Sequence, residues 1–155
     1  MKLWARRDQT PMSSECVICQ LIAREIEVSP LHHDELCSAF MDIQPVTPGH
    51  LLVVPNRHAV HLADLTEDEG AGIFHLGQRM AAALRKCGVR CEGINFFVAD
   101  GVAAGQEVFH VHLHVIPRFP GDGFGLKLPS DYKDRPPRSE LDDIAKKIRG
   151  LIAQL

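Results

Sequence analysis

The sequence predicts an α+β fold in which an antiparallel sheet is served by one long helix. Three observations lead there. Strand-like and helical stretches follow one another in mixed order, not in the strict alternation of a doubly wound parallel fold. Neighbouring strand-like runs are joined by short turns. One stretch, residues 66–87, carries apolar residues at helical spacing.

The elements justify themselves in order. Residues 1–13 read as a leader and residues 14–118 as the domain core. Residues 119–155 read as a loop and helix of the same domain. A short helix begins near Ser14 and places Ile18, Leu21 and Ile22 on one face. Ser29-Pro30 breaks the chain, and His32 and His33 fall in the surface loop that follows. Leu36–Ile43 is a strand, Gln44–Gly49 a turn cluster, and His50–Pro55 a buried strand ended by proline. Thr66 and Glu69 form a capping box that opens the long helix. Ile73, Leu76, Met80 and Leu84 make its apolar face, and Gly88 suits a left-handed end. Gly93–Ala99 and Glu107–Pro117 read as strands around a small-residue loop, Asp100–Gln106. Residues 118–138 hold four of the ten prolines and three of the twelve glycines, so they form a surface wrap. Ser139 caps a last helix with Leu141, Ile144, Ile148 and Leu151 on one face.

Composition narrows the function. Hydrophobic residues are 45% of the 155 and charged residues 24%, which is globular and not disordered, collagenous or coiled-coil. The formal charge of −3 excludes a globally basic nucleic-acid binder. Apolar runs such as Leu51–Val54 fall far short of the roughly 20 residues that span a bilayer. Arg6 and Arg7 precede no apolar run, so no secretory signal is read and a cytoplasmic protein is expected. The five cysteines are an odd number, which in a reducing compartment means free thiols or metal ligands.

The strongest signal is His110-Val111-His112-Leu113-His114-Val115-Ile116. On a strand, the three imidazoles would share one face and the aliphatic residues the other. Two chemistries fit such a row. One is metal ligation by His-x-His pairs. The other is attack on phosphorus by one histidine with support from its neighbours. The loop Asp100-Gly101-Val102-Ala103-Ala104-Gly105-Gln106-Glu107 runs into the row, and its small residues let backbone N–H groups approach an anion.

Residues Gly105–Arg118, with Phe40–Pro45 and Pro48–His58 before them, resemble the histidine triad family of nucleotide hydrolases and transferases. The likeness spans about residues 14–118. It implies a nucleotide bound with its α-phosphate against the triad, and attack by the middle histidine, His112. It also implies a nucleotidyl-histidine intermediate that is resolved by water or an acceptor, with release of a nucleoside monophosphate. His114 and Gln106 would act with His112. Phe40, Asp42, Ile43, Asn95, Gly105 and Val108 would line the substrate site, Asp42 holding the ribose hydroxyls and Asn95 reaching the phosphate. The substrate would be a purine nucleotide derivative, a dinucleoside polyphosphate or a nucleoside phosphoramidate, and no catalytic cofactor is implied. Family members usually form two-fold dimers, so a homodimer is expected. From the residues themselves, Phe40 and Ile43 also fit a plain core, Asp42 a turn cap, and Asn95 a sheet amide. Where relatives often carry asparagine, Asp100 adds repulsion toward a phosphate unless it faces away or meets a cation. Glu107 stands where phosphoramidate-cleaving relatives often carry serine, and an ionised glutamate cannot donate to a leaving group.

Cys16-Val17-Ile18-Cys19 has a spacing at which both thiolates reach one zinc. A redox pair is the rival reading, but the strand that should precede it is missing. In zinc-bearing branches of the resembled family, His58 and His110 would complete a structural Cys₂His₂ site, with His61 the alternative to His58. Cys37, Cys87 and Cys91 read as plain thiols. His50 should satisfy backbone groups of its turn, and His75 should be solvated. Phe124, Tyr132 and Arg135 are weaker candidates for substrate selection. Two rival functions stand beside nucleotide hydrolysis: a nucleotide-binding module with little turnover, and a metal-dependent hydrolase using the three histidines as ligands.

Overall fold

A computed structural model describes residues 16–154. The expected leader, and Ser14 as a helix start, lie outside the described residues. The chain divides after Asp122 into two units, and Gly123–Leu155 forms the second.

The first unit is built on a five-stranded antiparallel sheet. Its strands are β1 (Pro30–His33), β2 (Cys37–Met41), β3 (Leu51–Pro55), β4 (Gly93–Phe97) and β5 (Leu113–Arg118). Their order is β1-β2-β3-β5-β4, so β5 is held between β3 and β4. The helices of this unit are α1 (Val17–Ala23) and α2 (Glu67–Leu84). Period-two alternation sorts the strand residues between two faces. Ala39, Leu51, Val53, Leu113 and Val115 pack with Ile73, Leu76 and Leu84 of α2. Phe40 and Val54 pack with Ile18 and Ile22 of α1. Helix α2 lies close to β5, because a Cβ on Gly77 would stand 2.8 Å from the Leu113 side chain.

The α+β class, the long helix and its capping box are as expected: Thr66 accepts from the Glu69 N–H, and Glu69 reaches back to the Thr66 N–H. Four local expectations need correction. Strand β5 starts at Leu113, not Glu107. The N–H of His110 turns back to the Val108 carbonyl and that of Val111 goes to Ala59, so residues before 113 are diverted from the β3 ladder. His32 and His33 belong to edge strand β1, where Pro30 is tolerated because an edge position has no obligatory ladder bond. Helix α2 ends at Leu84, so Gly88, at φ +91°, shapes the turn beyond the end and does not cap it. The last helix, α3 (Arg138–Ile152), has Pro137 at its N-cap, and Ser139 lies inside the first turn.

Among the described residues, no helix is long and apolar enough to cross a membrane. Cys37 is a core thiol, its pKa pushed up to about 12 chiefly by burial. Cys87 is exposed, and Cys91 is half-buried and packs against the core. His75 is exposed, as expected.

Candidate active site and metal centre

As expected, Val111, Leu113 and Val115 pack together in the core against α2, and the three histidines lie on the other side of the chain. His110 is fully buried and His112 is 8% exposed, and both precede the strand, while only His114 lies on β5. His110 turns toward α1, where its Nδ1 lies 3.5 Å from the sulfur of Cys16 and 3.5 Å from that of Cys19. His58 Nδ1 lies 3.4 Å from the Cys19 sulfur. The four donor atoms lie within 4.8 Å of one another. Zinc bonded at roughly 2.1–2.3 Å to nitrogen and sulfur sets tetrahedral donor–donor edges of roughly 3.5–3.8 Å. The residues therefore fit such an ion. His110 Nε2 donates to the Pro55 carbonyl at 3.0 Å, which leaves Nδ1 as the bare ligand nitrogen.

The sequence left His58 and His61 open, and geometry separates them. His61 Nδ1 donates to Asp100 Oδ1 at 2.9 Å, and the candidate cluster contains His58. The same pair holds the Asp100 carboxylate to the His61 imidazole. His58 is held through its neighbour Arg57, which forks onto Glu69 at 2.9 and 2.6 Å and donates to the Asp64 carbonyl at 2.6 Å.

His112 and His114 form the second centre, their ring centroids 4.8 Å apart. A neutral imidazole has one donor and one acceptor nitrogen, so each partner fixes a tautomer. His112 Nδ1 lies 2.6 Å from the His110 carbonyl, which can only accept. Nδ1 therefore carries the proton and Nε2 is bare. The Val46 N–H donates to His50 Nδ1 at 3.2 Å, so His50 carries its proton on Nε2. That proton is donated to His114 Nδ1, 2.9 Å away, which leaves His114 with its proton on Nε2. The result is a bare nitrogen on His112 beside an N–H on His114. Burial, followed by the neighbouring His112 and His50, lowers the His114 pKa to about 4, against the opposing pull of Asp42. Burial also lowers that of His50. Both rings are thus neutral near pH 7.

The remaining predicted residues are placed as follows. Asp42 Oδ1 accepts from the Gln44 N–H at 2.8 Å, the turn-cap geometry, while Oδ2 faces His50 Nε2 at 3.6 Å. Phe40 is 3% exposed and packs in the core behind β2, and Ile43 is 85% exposed. Val108 packs against the Phe40 cluster. Gln106 is buried; its Nε2 donates to the Val60 and Val108 carbonyls and its Oε1 accepts from the Gly101 N–H. It therefore shapes the small-residue loop from within. Gly105, at φ +85°, turns that loop. Asn95 Oδ1 accepts from Arg118, whose guanidinium also forks onto Asp122. Phe97 is paired with His114 across the β4–β5 ladder, with ring centroids 5.8 Å apart. Tyr132 lies exposed in the second unit.

Sequence reasoning missed the role of His50. Its backbone contact was expected, but its bond to His114 depends on the β3–β5 register, which pairs Leu52 with His114. Sequence patterns on two strands so far apart do not reveal that register.

Comparisons with known proteins bear on the family and the fold. The HIT domain family matches residues 23–121. "Protein hit" of Bacillus subtilis is 36% identical over 140 residues, covering 88% of this chain and 96% of that one. A HIT family crystal structure from Bacillus anthracis superposes with a TM-score of 0.80 at 36% identity, covering 88% of this chain and 96% of that one. The crystal structure of a Zn-bound histidine triad family protein from Mycobacterium smegmatis has a TM-score of 0.68 at 38% identity, covering 77% and 86%.

Proposed function

Because this chain belongs to the HIT family of nucleotide-binding hydrolases and transferases, we propose that it cleaves a purine nucleotide derivative at the α-phosphate through His112. One observation carries this reading: the proton on His112 Nδ1 is committed to the His110 carbonyl, so Nε2 is free to attack. Attack forms a bond from Nε2 to phosphorus. The bond from phosphorus to the leaving group breaks, and its electron pair departs with that group. The His114 Nε2–H donates to a phosphate oxygen and stabilises the charge that develops there. Water then attacks phosphorus, the phosphorus–nitrogen bond breaks, water's proton passes to solvent, and a nucleoside monophosphate leaves.

Cys16, Cys19, His58 and His110 hold a structural zinc in this reading, and it supplies no chemistry beyond fixing α1 to the residues before β5. Phe40, Asp42, Ile43, Asn95, Gly105, Gln106 and Val108 are proposed around the nucleotide, Gln106 acting through the loop it braces. The protein would work in the cytoplasm as a homodimer paired through the long helix and a strand, without nucleic acid or membrane partners. The three-histidine metallohydrolase is disfavoured, since His110 Nδ1 is turned to the cysteines.

The test is release of AMP from diadenosine polyphosphate and from adenosine phosphoramidate, by the native chain and by His112→Ala. Turnover is expected to fall roughly a thousandfold or more, with nucleotide affinity near native. Native-rate turnover by the variant would overturn the reading. Binding without turnover by the native chain would favour the binding module.

A further inference from the structure

The carbonyl that holds the His112 proton belongs to the peptide unit joining His110 to Val111. That unit is planar, and its C=O and N–H point opposite ways. Its C=O lies 2.6 Å from His112 Nδ1, and its N–H donates to the Ala59 carbonyl at 2.7 Å. Ala59 therefore fixes, from the far side, the direction of the acceptor that His112 uses. Val60 does the same for the small-residue loop. Its carbonyl accepts from Gln106 Nε2 at 2.8 Å, and Gln106 Oε1 accepts from the Gly101 N–H at 2.8 Å. His58, just before them, belongs to the Cys₂His₂ cluster with His110. His58, Ala59 and Val60 thus grip residues 106–111, which precede the start of β5 at Leu113.

Arg57 anchors the residues that grip. Its Nε donates to Glu69 Oε1 at 2.9 Å, and its Nη2 donates to Glu69 Oε2 and to the Asp64 carbonyl, each at 2.6 Å. Glu69 is a fixed point. It is 6% exposed, and its Oε2 also accepts from the Thr66 N–H in the capping box. A fork onto a held, buried carboxylate sets direction as well as distance, which an exposed single-point ion pair does not. Helix α2, which carries Glu69, also packs closely on β5 at Gly77 and Leu113. The helix thus anchors both β5 and, through Arg57, the residues that grip 106–111.

We propose that Arg57 is a positioning residue for His112 and Gln106, acting from its anchor on α2 through the main chain of Ala59 and Val60. Its effect on turnover rests on the chemistry proposed above; its effect on the two hydrogen bonds does not.

Hydrogen exchange on the full, zinc-saturated chain tests it at two reporter amides, Val111 and Gly101. R57Q/E69Q removes both charges, so none is left buried without a partner, and glutamine also forms a capping box. Both amides are expected to lose protection about tenfold more than Val53 and Val115 in the central strands. A fork that served stability alone would lower all four amides together. That result, or unchanged protection at Val111 and Gly101, would overturn the proposal. R57K keeps the ion pair without the planar fork, and should lose protection at the same two amides by a smaller factor. Should the double variant not fold, R57K decides alone by the same comparison. Release of AMP from diadenosine polyphosphate should fall about tenfold in kcat with KM little changed. An unchanged kcat would overturn the link to His112. A native chain that releases no AMP would overturn the proposed chemistry, and exchange at Val111 and Gly101 would still decide the positioning.

Discussion

At the scale of single residues, the site is a sequence of tautomers. Val46 sets His50, His50 sets His114, and the His110 carbonyl sets His112. The proposed chemistry at His112 and His114 needs both settings at once, which makes His50 the testable link. His50→Phe keeps a ring of similar bulk but removes the donor to His114. Loss of an orienting partner behind a functional imidazole typically costs about 10- to 100-fold. Steady-state kinetics should show that loss mainly in kcat, with KM little changed; an unchanged kcat would remove His50 from the account. The triad was legible in the sequence because its spacing is local. The His50 bond was not, since it joins residues 64 positions apart through strand register. Asp42 shows a second limit: sequence offered a turn cap or a hold on ribose hydroxyls, and the carboxylate caps the turn through Oδ1 while its Oδ2 faces His50, a contact sequence did not offer.

At the scale of elements, the packing of α2 on β5 sets where the histidines stand. Two helix glycines probe it in opposite senses. At Gly70 an added Cβ meets nothing within 4 Å, so Gly70→Ala should stabilise by about 0.5–1 kcal/mol through helix propensity. At Gly77 the added Cβ would stand 2.8 Å from Leu113 and 3.2 Å from Phe96. Overpacking of about 1–3 kcal/mol should outweigh the same propensity gain, so Gly77→Ala should destabilise. Urea denaturation of the two variants checks the pair, and shifts of one sign would contradict this packing. The class of fold and the long helix were legible because capping and periodicity are local signals. The start of β5 was not. Period-two alternation continues from His110 to Ile116, yet the N–H groups of His110 and Val111 find partners in Val108 and Ala59, and only tertiary structure supplies the second.

At the scale of the whole molecule, metal and pH should each register in stability. The Cys₂His₂ cluster ties α1 to the residues before β5. Elemental analysis should find about one zinc per chain, and chelation should lower the thermal midpoint. Zinc-free native protein would refute the site. An unfolded histidine titrates near 6.5, whereas burial holds folded His114 at about 4 and lowers His50 as well. The unfolded chain therefore binds these protons first as the pH falls. The contribution of His114 to stability is full above about pH 6.5 and is lost as the pH falls toward 4. His114→Asn should flatten that part of the profile; equal slopes would contradict the assignment. Composition placed the chain among single globular domains, and the break after Asp122 falls within the proline- and glycine-rich stretch 118–138 that the sequence marks.

The most direct measurement is an alkaline quench of the protein after mixing with diadenosine polyphosphate, followed by peptide mass mapping. The account predicts an adenylyl group on the peptide carrying His112, absent from His112→Ala. Turnover at native rate in that variant, or an adduct on another residue, would contradict it.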